Sequence, residues 1–260
     1  MKKSKTYNKI FPNKKGKREK TNSKKDFIYK NLNDQELNTL EYKLAIKIDK
    51  RTYLLYYWSL LKRKNLILFT FYPNDDYNLI TLKISLFLTS FSLYMTINGF
   101  FFTDDTMHTI YSNNGSYNLM YQIPKIMYSF LVSSVINIIL RQLSLSESNL
   151  IDIKREKKIK KVKEDSKNVI KYLKLRFLIF FVVSYLLLFF FWYFITCFCG
   201  VYTNTQIILI EDSLISFGVS MLSPFGLCLF PGFLRIQALK APKKDKNLMY
   251  QISLYLALLI

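Results

Sequence analysis

Asp104, Asp105 and His108 form the one group in the chain whose types and spacing could do chemistry. Asp105 and His108 stand three positions apart, which on a helix places both on one face, where a carboxylate and an imidazole can hold a cation. Glu211 and Asp212 fall on the same predicted side of the membrane and would add ligands if the two loops met. Against this, the chain has a single histidine, no second ligand pair, no glycine-rich phosphate loop and no GxSxG elbow. The expectation is a solvated or capping cluster, with no catalytic residue, metal or cofactor. Cys197, Cys199 and Cys228 lie in apolar runs, form no CxxC pair and have no histidine at ligand spacing, so they read as small hydrophobes. Asn114-Gly115-Ser116 is the only N-glycosylation triplet, which makes Asn114 the candidate acceptor.

The elements that must position these residues are long apolar runs. Residues 177–201 carry no charge over 25 positions, about 37 Å of helix against a bilayer core of about 30 Å. Three further runs, 84–102, 123–140 and 213–234, complete four predicted transmembrane helices. The last is broken by Gly218, Pro224, Gly226, Pro231 and Gly232, with a kink expected near Pro224. Ser129, Ser133 and Ser134 give the second span a small-residue face, ordinarily used for close packing and less often for a water-lined pore. Away from their edges the spans are read as free of ionisable residues, which argues against proton relays and voltage sensors. Asn98 and Asn137 remain, and hydrogen bonds between helices account for both.

Charge sets the orientation. Lys and Arg number 38 against 18 Asp and Glu, and they gather in blocks between the apolar runs rather than alternating with them, the pattern of a polytopic membrane protein. Nineteen precede Asn65, 11 lie in the connection 143–176 and 5 follow Leu234, whereas the two remaining loops have none. The positive-inside rule then puts both termini in the cytoplasm. The fold expected is all-α, with four membrane helices and additional interfacial amphipathic ones.

Residues 1–32 read as a disordered basic tail able to attract anionic lipids of the cytoplasmic leaflet. In 33–78, Asn33 and Glu36 suggest a capping box, followed by one amphipathic helix with Leu37, Leu40, Leu44 and Ile48 on its face. Residues 53–72 have the length of a span, but Lys62, Arg63 and Lys64 at the centre would each cost about 2.5–3.5 kcal/mol to insert. The segment is therefore expected in the interface, with Tyr56, Tyr57 and Trp58 at headgroup depth. The four-span domain covers 79–247, and its connection 143–176 should extend as solvated helix supported by pairs such as Glu156 with Lys160. The apolar piece 248–260 is too short to cross and reads as an interfacial helix, a docking strip or the end of a shortened chain.

DDYN at Asp75–Asn78, TDDTMH at Thr103–His108, LSLSE at Leu143–Glu147 and the late SFGVSMLSPFG resemble a multi-pass membrane module of large uncharacterised protein families in protists with AT-rich genomes, over about residues 35–250. The resemblance implies no activity or site; it implies that 248–260 is a natural end. The function expected is a non-enzymatic anchor or assembly subunit in a membrane, with a small oligomeric channel or transport subunit as the alternative. Its partners would be the bilayer, anionic lipids and a second copy or another membrane protein. Nucleic acid is not among them, since the basicity comes without any recognisable nucleic-acid module.

Overall fold

The computed structural model describes residues 32–113, 118–155, 159–202, 205–240 and 246–259, with the side chains of 159–163 excepted. The tail 1–31, Asn114, the Glu156 and Lys160 pair and the lysines between 241 and 245 lie outside the described residues. Twelve helices and no strand occur among the described residues. Four of these segments are long and apolar enough to cross a membrane. They are α5 (Ile80–Phe100), α7 (Leu119–Ser144), the later part of α9 (Ile159–Val201), and α10 (Gln206–Leu227) continued by α11 (Leu229–Lys240). The all-α polytopic architecture read from the apolar runs is what the chain adopts.

α5 lies at the centre, against α7, α9 and α10. Leu82, Leu86, Tyr94, Leu140, Phe180 and Phe217 fill the middle of the bundle. Outward-facing Leu131, Val135, Phe189 and Leu222 are left to the surrounding lipid. At the end of the bundle that carries the acidic loops, α6 (Asp104–Ser112) is an additional short helix. The Thr103 hydroxyl accepts from the Thr106 amide at 3.3 Å, and Asp104 and Asp105 occupy the first turn, where carboxylates complement the positive end of the helix dipole.

The break in the fourth span falls at Cys228 rather than at Pro224. Pro224 withholds an amide from the Ser220 carbonyl, and the Ser223 hydroxyl donates to that oxygen at 3.1 Å, so the helix runs on. Pro231 would in turn leave the Leu227 carbonyl unpaired and crowd it, and there α10 ends.

The opposite, basic end carries a cap made from the amino-terminal helices α1 (Asp34–Asn38), α2 (Tyr42–Ile48), α3 (Tyr53–Lys64) and α4 (Leu66–Phe71), the second-to-third connection α8 (Glu147–Arg155) and the late helix α12 (Lys246–Leu259). The capping box is present, with Asn33 Oδ1 accepting from the Glu36 amide at 2.8 Å and the Glu36 carboxylate from the Asn33 amide at 2.9 Å. The single helix expected after it is two. Arg235 donates to the carbonyls of Leu37 and Asn38 at 2.7 and 3.0 Å, oxygens that an uninterrupted helix would use for the amides of residues 41 and 42. α3 is separated from α4 in the same way. Arg141 donates to the Arg63 and Lys64 carbonyls, and Asn65 restarts the chain by accepting from the Leu68 amide at 3.0 Å while donating to the Met221 carbonyl at 2.6 Å. α12 folds back along α11, and its Tyr250 hydroxyl donates to the Leu40 carbonyl at 2.8 Å. Residues 53–72 thus pack against the bundle, with Trp58 partly outward and Tyr56 enclosed by protein.

Candidate functional site

The five residues with the best claim to chemistry do not gather. Asp104, Asp105 and His108 are exposed on α6, and Glu211 is half-buried. Asp212 is fully buried and ion-paired with Lys125 of α7. Among the described residues no group of three or more His, Cys, Asp or Glu stands close enough to hold one metal ion. The three cysteines are unbonded to one another, with Cys228 buried and Cys197 exposed to the lipid side of α9.

Lys125 is the residue that the sequence reading missed. It sits one position after Pro124, near the start of an apolar run, and so passes for an edge residue. The structure begins α7 at Leu119, which places Lys125 about 9 Å along the helix. Its ammonium lies 3.4 Å from the Phe102 ring centroid as well as against Asp212, and its side chain is 8% exposed. An ionisable pair inside a membrane bundle is costly unless both members are matched, and here each charge neutralises the other. A signal for it exists in the sequence: Lys125, Ser129, Ser133, Asn137 and Arg141 recur at every fourth position and form a polar ridge that winds around α7.

The second charged centre lies in the cap. Arg235, from the end of the fourth span, is wholly buried and stacks between Tyr56 and Tyr250, its guanidinium 4.8 Å from each ring centroid. It donates to Asp49 Oδ2 through Nε at 3.2 Å and through Nη2 at 2.9 Å. Arg51 grips the same carboxylate through Nε to Oδ1 at 2.8 Å and Nη2 to Oδ2 at 2.9 Å, and reaches Asn38 Oδ1 at 2.9 Å. Burial pushes the Asp49 carboxyl up, yet the hydrogen bonds and charges of Arg51 and Arg235 outweigh it and hold Asp49 below the ordinary aspartate value. Around this centre Lys62 pairs with Asp34 at 2.8 Å, Arg63 with Glu147 at 3.2 Å and Lys154 with Glu36 at 2.8 Å. Burial raises the Glu147 carboxyl, with Arg63 opposing.

Lys64 differs from its neighbours. Burial, aided by the charges of Arg141 and Arg63, lowers its ammonium to about 7. A cavity of about 220 Å³ opens beside the cap helices, lined by Asn33, Asp34, Lys62, Arg63, Asp76 and Glu147. Of the four acids lining it, Asp34 and Glu147 are paired as above and Asp76 pairs with Lys83. What the arrangement does chemically is hold the amino-terminal helices, the second-to-third connection and the carboxy-terminal helix in one charged interlock.

Compared with protein-family models, with curated proteins and with solved structures, the chain matches none.

Proposed function

We propose that the chain is a non-enzymatic integral membrane protein, an anchor or assembly subunit, which presents a rigid cationic platform on the cytoplasmic face for anionic lipid or for an acidic partner. The observation that carries this reading is the welding of both ends of the chain at one end of the bundle through Arg235. Segments that only connected spans would not need a buried guanidinium with four hydrogen bonds and two stacked rings to hold them. The basic tail 1–31 leads into this platform, and its cations near a negative leaflet would each add about 1 kcal/mol. The chain's buried carboxylates serve as structural counterions, which favours an assembly role over catalysis. A second copy of the chain or another membrane protein would meet the outward face of the spans.

The test is vesicle capture. The full chain reconstituted in neutral liposomes should tether phosphatidylserine vesicles, release them as salt shortens the Debye length below about 8 Å, and ignore neutral vesicles. A variant lacking residues 1–31 that tethers equally, or tethering that ignores salt, would refute the reading. Protease-accessible tags at the two termini on opposite faces of sealed vesicles would refute the shared orientation.

A further inference from the structure

The interior of the bundle carries buried polar side chains on α7 and α10, and some of them are unsatisfied. On α7 the row Lys125, Ser129, Ser133, Asn137, Arg141 spans about 24 Å, most of a bilayer core. On α10 Asp212 and Ser216 repeat the four-residue spacing, and α7 packs against α10, so the two rows share a seam that starts at the Lys125 and Asp212 pair. The ends of the α7 row are satisfied by protein. Lys125 has Asp212, Asn137 accepts from the Ser90 hydroxyl at 2.6 Å, and Arg141 donates to the carbonyls of Arg63 and Lys64.

The middle is different. The hydroxyls of Ser129, Ser133 and Ser216 are 0% exposed, and none has a hydrogen-bond partner among the described residues. Ser184 of α9, 2% exposed, is in the same condition. Elsewhere in the bundle a buried hydroxyl turns back on its own helix. Thr89, Thr96 and Ser213 donate to the carbonyl four residues earlier at 2.8, 2.9 and 2.6 Å. Close packing alone would be served by alanine, whereas each orphaned hydroxyl costs about 1–3 kcal/mol. Such groups are satisfied by internal water wherever the site is polar enough to give it several partners.

We propose that the seam between α7 and α10 is a water-filled path that runs past Ser129 and Ser216 down to Ser133, closed at the acidic end by the Lys125 and Asp212 pair. Its ligand is water and the protons that water carries. A lining of hydroxyls without a ring of carbonyls or carboxylates has nothing to replace the hydration shell of a larger cation. Breaking the pair would open the path from the acidic side down to Ser133. This goes beyond the anchoring role and stands independently of it.

The experiment is a cysteine scan in liposomes, on the full chain with Cys197, Cys199 and Cys228 replaced by alanine. S129C, S133C and S216C are compared with L131C and V135C, whose native side chains face outward on the same stretch of α7 at 55% and 61% exposure. Only a thiolate reacts with a small water-soluble methanethiosulfonate, and the reagent is larger than water, so with the Lys125 and Asp212 pair intact the seam positions should label as slowly as the outward ones. Fast labelling of S129C or S133C with the pair intact would overturn the assignment of the pair as the closure. With D212N added, S129C should label at least about tenfold faster, while L131C and V135C stay inert, which separates opening from unfolding. K125Q provides the second route, and the exchanged pair K125D/D212K should return the slow rate. An unchanged S129C rate in both D212N and K125Q would overturn the water-filled path behind the pair.

Discussion

Replacing Arg235 with alanine should loosen the cap while leaving the spans in place. The change removes two hydrogen bonds to Asp49 and those to the Leu37 and Asn38 carbonyls, along with the filling between Tyr56 and Tyr250. Removing one partner of a buried pair costs about 3–5 kcal/mol because the other charge is stranded. Arg51 stays on Asp49, so the lower end of that range, about 3 kcal/mol, applies. Hydrogen exchange in lipid nanodiscs reads such local opening directly, and amides in 37–49 and 246–254 should exchange roughly a hundredfold faster, those of α5 and α7 unchanged. R235K keeps the charge but not the flat fork, and should fall between wild type and R235A. An R235A effect under about tenfold would refute the argument that the cap hangs on this residue. The same centre predicts acid sensitivity. Because the folded Asp49 pKa is depressed below the ordinary 3.8, its contribution is fully present above that value and is lost as pH falls through the depressed one. The acid loosening should be missing in D49N.

Lys64 gives a slope of the same sign at higher pH. Its folded value of about 7 against an ordinary 10.5 means that the unfolded chain holds the extra proton between those limits, so cap stability should climb with pH from about 7 to 10.5 and K64M should flatten the climb. Exchange of α3 and α4 amides across that range measures it, and an equal slope in K64M would refute the assignment. Gly99 and Gly218 should behave differently. A Cβ at Gly99 would stand 2.8 Å from Phe194 Cε1, while nothing lies within 4 Å of one at Gly218. In micelle thermal unfolding, G99A should lose about 1–3 kcal/mol to overpacking, and G218A should gain up to about 1 kcal/mol of helix propensity.

The number of spans was legible in the sequence, because a bilayer demands an uninterrupted apolar run of fixed length and four such runs stand clear of the charges. The capping box at Asn33 and Glu36 was legible for a similar reason: its partners are three residues apart, within reach of local geometry. The breaks at Thr39 and Asn65 were not. Each is made by an arginine far along the chain, Arg235 or Arg141, that takes two carbonyls the local helix would otherwise use, and no local propensity encodes a competitor nearly 80 or 200 residues away. Asp212 likewise read as loop acid beside Asp104, Asp105 and His108. Only the packing of α7 on α10 decided that it faces Lys125, 87 positions earlier, because charge matching inside a bundle depends on which helix faces meet and not on the order of residues along either.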